Sequence, residues 1–346
     1  MLDMTTFLVC PSCRGALAPE TAALMCRACA RRYPIREGVP QFDLPRDVAH
    51  GEGNGEAGET AAGGSRDQRR SYWDHGWEAR FQNDHAFLNE LRTRTAWQAY
   101  LEGEIVNLAG HRHVSVVEAS RDQIRGKVLL DIGCGAGTSG AMFGYLGARY
   151  IGIDHSSYAA SYTLRHLRAV EADGFTVQGN ADSLPIRDES IDVVYSNGVL
   201  HHTPNFSTAM DEAYRVLKPG GKAIIALYAT WSTAFGLVRG LGALRGNLTR
   251  SDMDRWMGEA SEGAWRTGGR LNLWTQTFSK AQLRRATSDY QINGLAIRKN
   301  GHPIGEFPWL GRRLMKFGTV RKLDRALEPL LGSMLVLSFS KRAGVH

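Results

Sequence analysis

Val128-Leu129-Leu130-Asp131-Ile132-Gly133-Cys134-Gly135-Ala136-Gly137 is the stretch that decides the fold of this 346-residue chain. Its first five residues read as a strand buried on both faces, its glycines as a tight turn, and the residues from Thr138 onward as a helix. Glycine lets the backbone approach a ligand there, and the helix N-terminus presents unpaired N–H groups to it. Further apolar strand candidates recur at 150–153, 175–178, 191–196 and 223–228. Helical stretches at 156–170 and 206–217 separate them, the second stopping at Lys218-Pro219-Gly220-Gly221. Strands alternating with helices predict a parallel α/β sheet, each crossover long enough for the right-handed connection.

The turn alone does not choose its ligand, because Gly135-Ala136-Gly137-Thr138-Ser139-Gly140 also satisfies the GxGxxG pattern of dinucleotide sites. Three acids decide against a dinucleotide. Asp131 ends the first strand, where it would repel a pyrophosphate but attract an ammonium group. Asp154 ends the next strand and suits ribose hydroxyls. Asp182, in Gly179-Asn180-Ala181-Asp182-Ser183-Leu184-Pro185, follows the third strand and can accept from an adenine amine. Ammonium, ribose and adenine together describe S-adenosylmethionine (SAM).

The segments D-I-G-C-G-A-G-T, G-I-D-H-S, G-N-A-D-S-L-P, D-E-S-I-D-V-V-Y-S-N-G-V-L-H-H and V-L-K-P-G-G lie in order between residues 127 and 228. This region resembles the class I SAM-dependent methyltransferases, in particular those similar to the ubiquinone and menaquinone biosynthesis methyltransferases. The resemblance implies a Rossmann-like seven-stranded sheet whose last strand, near 333–340, inserts antiparallel. It carries the methionyl end of SAM onto Asp131, Gly133, Gly135 and Gly137, the ribose onto Asp154 and His155, and the adenine onto Ala181 and Asp182, with Asn197 beside the sulfonium. Helices ahead of the first strand often close over the cofactor in such enzymes, which makes Tyr72 and Trp73 lid candidates or simply packing aromatics. Cys134 fits the turn as a small residue and receives no role.

SAM is already a strong methylating agent, so the protein mainly aligns and desolvates the reactants. A base is needed for a phenol, alcohol or protonated amine but not for a carboxylate. His202 and His201, after the fourth strand, are the candidate bases, and Tyr228 is a further pocket candidate. L-H-H also recurs in the family whatever the acceptor, which leaves a structural role open for both imidazoles.

Cys10-Pro11-Ser12-Cys13 and Cys26-Arg27-Ala28-Cys29 form two CxxC pairs in a chain without a secretory leader pattern. Two such turns make a closed tetrahedral site suited to structural zinc; an iron–sulfur centre and free thiols are the alternatives. Together with Y-P-I-R-E-G-V-P, these pairs resemble the zinc-ribbon proteins that activate tRNA and protein methyltransferases. A ribosomal RNA guanine methyltransferase type also carries a ribbon, which there helps bind RNA.

The expected organisation is a zinc ribbon over 1–45, a flexible linker over 46–66, a helical lead-in over 67–120, and a methyltransferase domain over 121–346. The last is expected to carry a helical acceptor cap at 231–330. The linker is read from its lack of large apolar residues, and it predicts a ribbon that folds independently of the SAM site. No run approaches 18 apolar residues, so the expected compartment is the cytoplasm. The formal charge is +7, yet residues 231–346 hold 19 Lys and Arg against 8 Asp and Glu, so the remainder is acidic. Within that third, Trp309, Leu310, Leu314, Phe317, Leu323, Leu327 and Leu331 alternate with basic residues. That pattern fits a cap helix with its charged side in water, or a peripheral membrane contact. The expected activity is methyl transfer to an O or N atom of a small-molecule or lipid-like acceptor. RNA methylation and a non-catalytic SAM- or partner-binding module are the alternatives.

Overall fold

The computed structural model describes residues 2–42, 66–83, 86–91, 93–111, 121–233, 235–236, 240, 244, 272, 274–305 and 310–343. The N-terminal unit has a short helix α1 (Met4–Phe7) and an antiparallel sheet of β1 (Leu17–Glu20), β2 (Ala23–Cys26), β3 (Arg32–Arg36) and β4 (Val39–Pro40). Two long helices follow, α2 (Arg66–Asn83) and α3 (Arg94–His111), then a single turn α4 (Arg121–Ile124). Of the expected linker, all but Arg66 lies outside the described residues, and Arg66 already opens α2. Residues 112–120 of the lead-in lie outside them too.

The second sheet is built from β5 (Val128–Ile132), α5 (Thr138–Tyr145), β6 (Arg149–Asp154), α6 (Ser157–Ala169), β7 (Gly174–Gln178), β8 (Ile191–Asn197), α7 (Phe206–Val216) and β9 (Leu217–Tyr228). After these come α8 (Lys280–Ala286), β10 (Ile292–Asn300), α9 (Gly311–Leu314), α10 (Gly318–Leu331) and β11 (Met334–Lys341). The order is β10-β11-β9-β8-β5-β6-β7, with β11 antiparallel to β9, so the sheet has the expected seven strands and the expected inserted antiparallel strand. Every residue of β5 is buried because the sheet is covered on both faces. Val128, Leu130 and Ile132 join the core on one side, Leu129 the core on the other, as the two-residue strand period requires.

The structure departs from the sequence reading in three places. Helix α7 ends at Val216 and the chain runs straight into β9, so Lys218-Pro219-Gly220-Gly221 lies within a strand, where the register with β8 shifts between Ile191 and Val193. The segment 231–330 contains the edge strand β10 as well as helices; its short polar and glycine-interrupted pattern (Ile292-Asn293-Gly294) hid it.

The third departure is the ribbon, which packs directly on the sheet domain. Phe42 N–H donates to the Gln178 carbonyl (2.8 Å), Val9 N–H to Pro185 (3.0 Å), and Arg187 N–H to Phe7 (2.8 Å). Leu8 and Phe42 share one core with Val177, Leu184 and Ile186. Full burial of each large side chain contributes about 1.5–3 kcal/mol, so the docking is a stable interface. Arg14 adds an ion pair to Glu212 of α7 (2.6 Å), which Arg215 also contacts (2.8 Å).

Candidate functional site

The glycine turn is held open by its own backbone. Gly133 and Gly135 have φ of 84° and 50°, a region that favours glycine. A Cβ on Gly133 would lie 2.1 Å from Val199, and one on Gly135 would lie 2.7 Å from the Trp77 ring. The loop is tied to the end of β6 by Gly133 N–H to Ile153 O (2.7 Å) and Gly135 N–H to Asp154 Oδ2 (2.9 Å). It borders a cavity of about 350 Å³, within the usual small-molecule range of about 300–1,000 Å³.

Asp131, Gly133, Gly135, Asp154, His155, Ala181, Asp182, Asn197 and His202 all line that cavity, although 71 residues of sequence separate the first from the last. The parallel topology brings them together at the carboxyl ends of β5, β6, β7 and β8. Gly137 lies behind the wall: it precedes α5 and packs against Thr163 and His166. Asp131 is 2% exposed and accepts from Tyr150 O–H at 2.6 Å. Burial pushes its carboxyl up to about 7, against the Tyr150 hydrogen bond and with help from Asp154. Asp154 is pushed up to about 6 by burial, opposed by the Ser156 and Gly135 N–H groups that it accepts from. Buried carboxylates beside a glycine cradle fit a ligand that brings an ammonium and hydroxyl donors, as SAM does.

Helix α2 closes the cavity. Arg69, Trp73, Trp77 and Arg80 line it from one helix face, at spacings of four, four and three. The helix is pinned to the start of α6 by Asp74, which accepts from Ser156 Oγ at 2.5 Å. Trp73 is thus a cavity residue, while Tyr72 is buried behind it, edge-on at 5.2 Å. Sequence reading named Trp73 but missed Arg69, Trp77 and Arg80; the four-and-three spacing was the available signal.

Among the histidines the cavity distinguishes two positions. His202 lines it, with Trp73 5.3 Å away ring to ring and Tyr228 at 5.6 Å. Its Nδ1 lies 3.1 Å from the Trp274 carbonyl, 2.8 Å from Asn272 Nδ2 and 3.2 Å from Thr275 Oγ1. The carbonyl can only accept and so selects the tautomer with its lone pair at Nε2; the Asn272 amide selects the other. Burial lowers its pKa to about 4, the Trp274 carbonyl opposing and the Arg80 charge adding to the fall. His201 is fully buried outside the cavity lining, stacked on Tyr228 at 3.7 Å, and burial holds it neutral.

The second site is the cysteine cluster. The Sγ atoms of Cys10, Cys13, Cys26 and Cys29 lie within 4.8 Å of one another, with 3.7 Å for Cys10–Cys29 and 3.4 Å for Cys13–Cys26. A tetrahedral zinc with Zn–S near 2.3 Å spaces its sulfurs by about 3.8 Å, so the donor set fits. The two turns are built alike. Arg14 and Ala30, each following a second cysteine, have φ of 61° and 56°, and their N–H groups donate to the backbone carbonyls of Cys10 and Cys26.

Residues 130–225 match the family model of the methyltransferase domain, and residues 2–38 that of Trm112p-like proteins. An uncharacterized methyltransferase of Mycobacterium leprae (strain TN) is 34% identical over 114 residues, 32% of this chain and 40% of its own length. One from Mycobacteroides abscessus is 34% identical over 116 residues, 33% of this chain and 44% of its own length. The chain therefore spans less than half the length of these curated relatives. Among solved structures, a chain from a Haloferax volcanii complex of the Trm112 methyltransferase activator is 18% identical with a TM-score of 0.44, covering 73% of this chain and 99% of that one. Haemonchus contortus phosphoethanolamine N-methyltransferase 2 with S-adenosyl-L-methionine is 17% identical with a TM-score of 0.42, covering 63% and 49%. One chain thus carries a four-cysteine unit similar to Trm112p-like proteins and a seven-stranded sheet whose residues 130–225 are similar to the methyltransferase domain.

Proposed function

We propose that this joined ribbon and methyltransferase fold transfers a methyl group from SAM to an O or N atom of a small-molecule or lipid-like acceptor. One observation carries the reading: acids at the ends of β5 and β6 and after β7 share a single cavity with Asn197, His202 and the aromatic face of α2. Bound there, SAM supplies an electrophilic methyl group. Asp131 holds the ammonium, Asp154 and His155 the ribose, and Ala181 and Asp182 the adenine, while Gly133 and Gly135 allow the backbone to approach. Trp73 and Trp77 exclude water and narrow the acceptor space, which favours a compact or chain-like acceptor over a folded RNA.

His202 is neutral at pH 7, the charge state a base requires, but a pKa of about 4 makes it a weak one. Acceptors that need no strong base, such as a carboxylate or a neutral amine, suit this cavity best. Incubation with methyl-labelled SAM and parallel extracts of small molecules, lipids and RNA tests the reading. Label in the small-molecule or lipid fraction is expected. Label confined to RNA would shift the acceptor to the alternative class, and no label in any fraction would leave a binding module.

A further inference from the structure

Helix α10 is turned inside out for a helix that faces water. Its two acids, Asp324 and Glu328, are 1% and 6% exposed, whereas Leu323 and Leu330 are 53% and 68% exposed. Asp324 is fixed inward by His302 Nδ1 at 2.9 Å and Ile304 N–H at 2.7 Å. Leu323, Ala326 and Leu330, spaced by three and four, therefore form one outward stripe, flanked by exposed Lys322 and Arg325. The turn before it continues the pattern with exposed Leu310, Arg313, Lys316 and Phe317, and Arg321 braces that turn by donating to the Met315 and Lys316 carbonyls (2.9 Å each).

The charge balance of this surface is one-sided. Asp324 and Glu328 are the only acids between residues 310 and 343, and both are buried. What reaches outward is leucine, phenylalanine, lysine and arginine. The surface is linked to the strand that ends at the cavity. Lys299 Nζ donates to the carbonyls of both Leu330 and Trp231, the latter three residues beyond the cavity residue Tyr228 and 73% exposed. Tyr228 pairs across the sheet with Met334, three residues after the helix ends.

We propose that this face docks on an anionic phospholipid bilayer. Exposed aliphatic and aromatic side chains enter the acyl boundary while the surrounding cations meet lipid phosphates, the combination that gives interfacial helices their affinity. Nucleic acid would satisfy the cations but leave the Leu323–Leu330 stripe in water. Docking in this orientation brings exposed Trp231, joined to the helix through Lys299 and three residues beyond the cavity residue Tyr228, toward the bilayer. No helix among the described residues is long and apolar enough to cross a membrane, so the contact is peripheral.

The test uses the full, zinc-loaded chain in flotation with vesicles of phosphatidylcholine alone and of phosphatidylcholine mixed with phosphatidylglycerol. Binding to the mixed vesicles alone, weakening with salt, is expected. The double variant Leu323→Glu/Leu330→Glu should lower partitioning about tenfold or more while its SAM affinity matches wild type, because it removes two apolar contacts and adds two repelled charges. SAM binding is measured separately, so failure of the membrane proposal leaves the methyl-transfer reading standing, and the reverse. Absence of binding to the mixed vesicles, undiminished binding by the double variant, or displacement of the protein from vesicles by RNA would each overturn the proposal.

Discussion

Asp131→Asn should stabilise the ligand-free protein at alkaline pH and weaken its cofactor site. The carboxyl is almost fully buried, and its folded pKa of about 7 lies above the ordinary 3.8. A raised acid binds its proton more tightly when folded, so its contribution is present below pH 3.8 and is lost as pH rises through 7. Three units at about 1.36 kcal/mol each put the full difference near 4 kcal/mol. Asparagine keeps an oxygen for the Tyr150 hydroxyl and cannot ionise. Urea unfolding from pH 4 to 8 should show the variant approaching wild type at pH 4 and exceeding it by about 2–4 kcal/mol at pH 8, a shift of about 3–6 degrees in Tm. In calorimetry, the same variant should bind SAM about 10- to 100-fold more weakly, having lost a charge-assisted hydrogen bond to the ammonium. Stability curves that run parallel across this pH range would show that burial does not raise the Asp131 carboxyl.

The ribbon should hold about one zinc per chain, measured by elemental analysis, and Cys26→Ser should release it. Because Val9 and Phe42 brace the two ends of the loop 179–185 and Ser183 Oγ donates to Pro11 O (3.4 Å), zinc removal should weaken SAM binding about tenfold or more; unchanged affinity would return the ribbon to independence. Because the acceptor suited to this cavity needs no strong base, His202→Ala should lower turnover by less than about tenfold while keeping SAM affinity. A loss of about 10²-fold would make the imidazole an essential base. The wild-type rate should fall in acid only near pH 4, where the imidazole becomes charged. An acid limb near 6.5 would show that the imidazole is solvated.

Much of the sheet was legible because its signals are local. An apolar run ending in an acid and a glycine turn announces strand, ligand end and helix within ten residues at β5; β6 keeps the apolar run, the acid Asp154 and the helix, while β7 and β8 keep the apolar run and a following glycine, Gly179 and Gly198. The cysteine cluster was legible for the same reason, each CxxC being a complete turn. What the sequence concealed depends on long-range packing. The ribbon's dock on Gln178 and Pro185 joins segments more than 130 residues apart, and nothing in the spacing of Phe42 or Val9 marks a partner. Strand β10 reads as polar because its side chains are half-buried or exposed, so neither face carries an apolar alternation. His201 and His202 are adjacent and chemically identical, and only the fold sets one in the cavity and the other behind Tyr228.

Titration calorimetry of SAM into the zinc-loaded full chain, with NADH as the competing ligand and Asp154→Ala as the control, decides whether the cavity is a SAM site. Micromolar SAM binding is expected, weakened by about 1.5–3 kcal/mol in the variant, with no heat from NADH. NADH binding in this cavity, no heat with SAM, or equal SAM affinity after removal of the Asp154 carboxylate would contradict it.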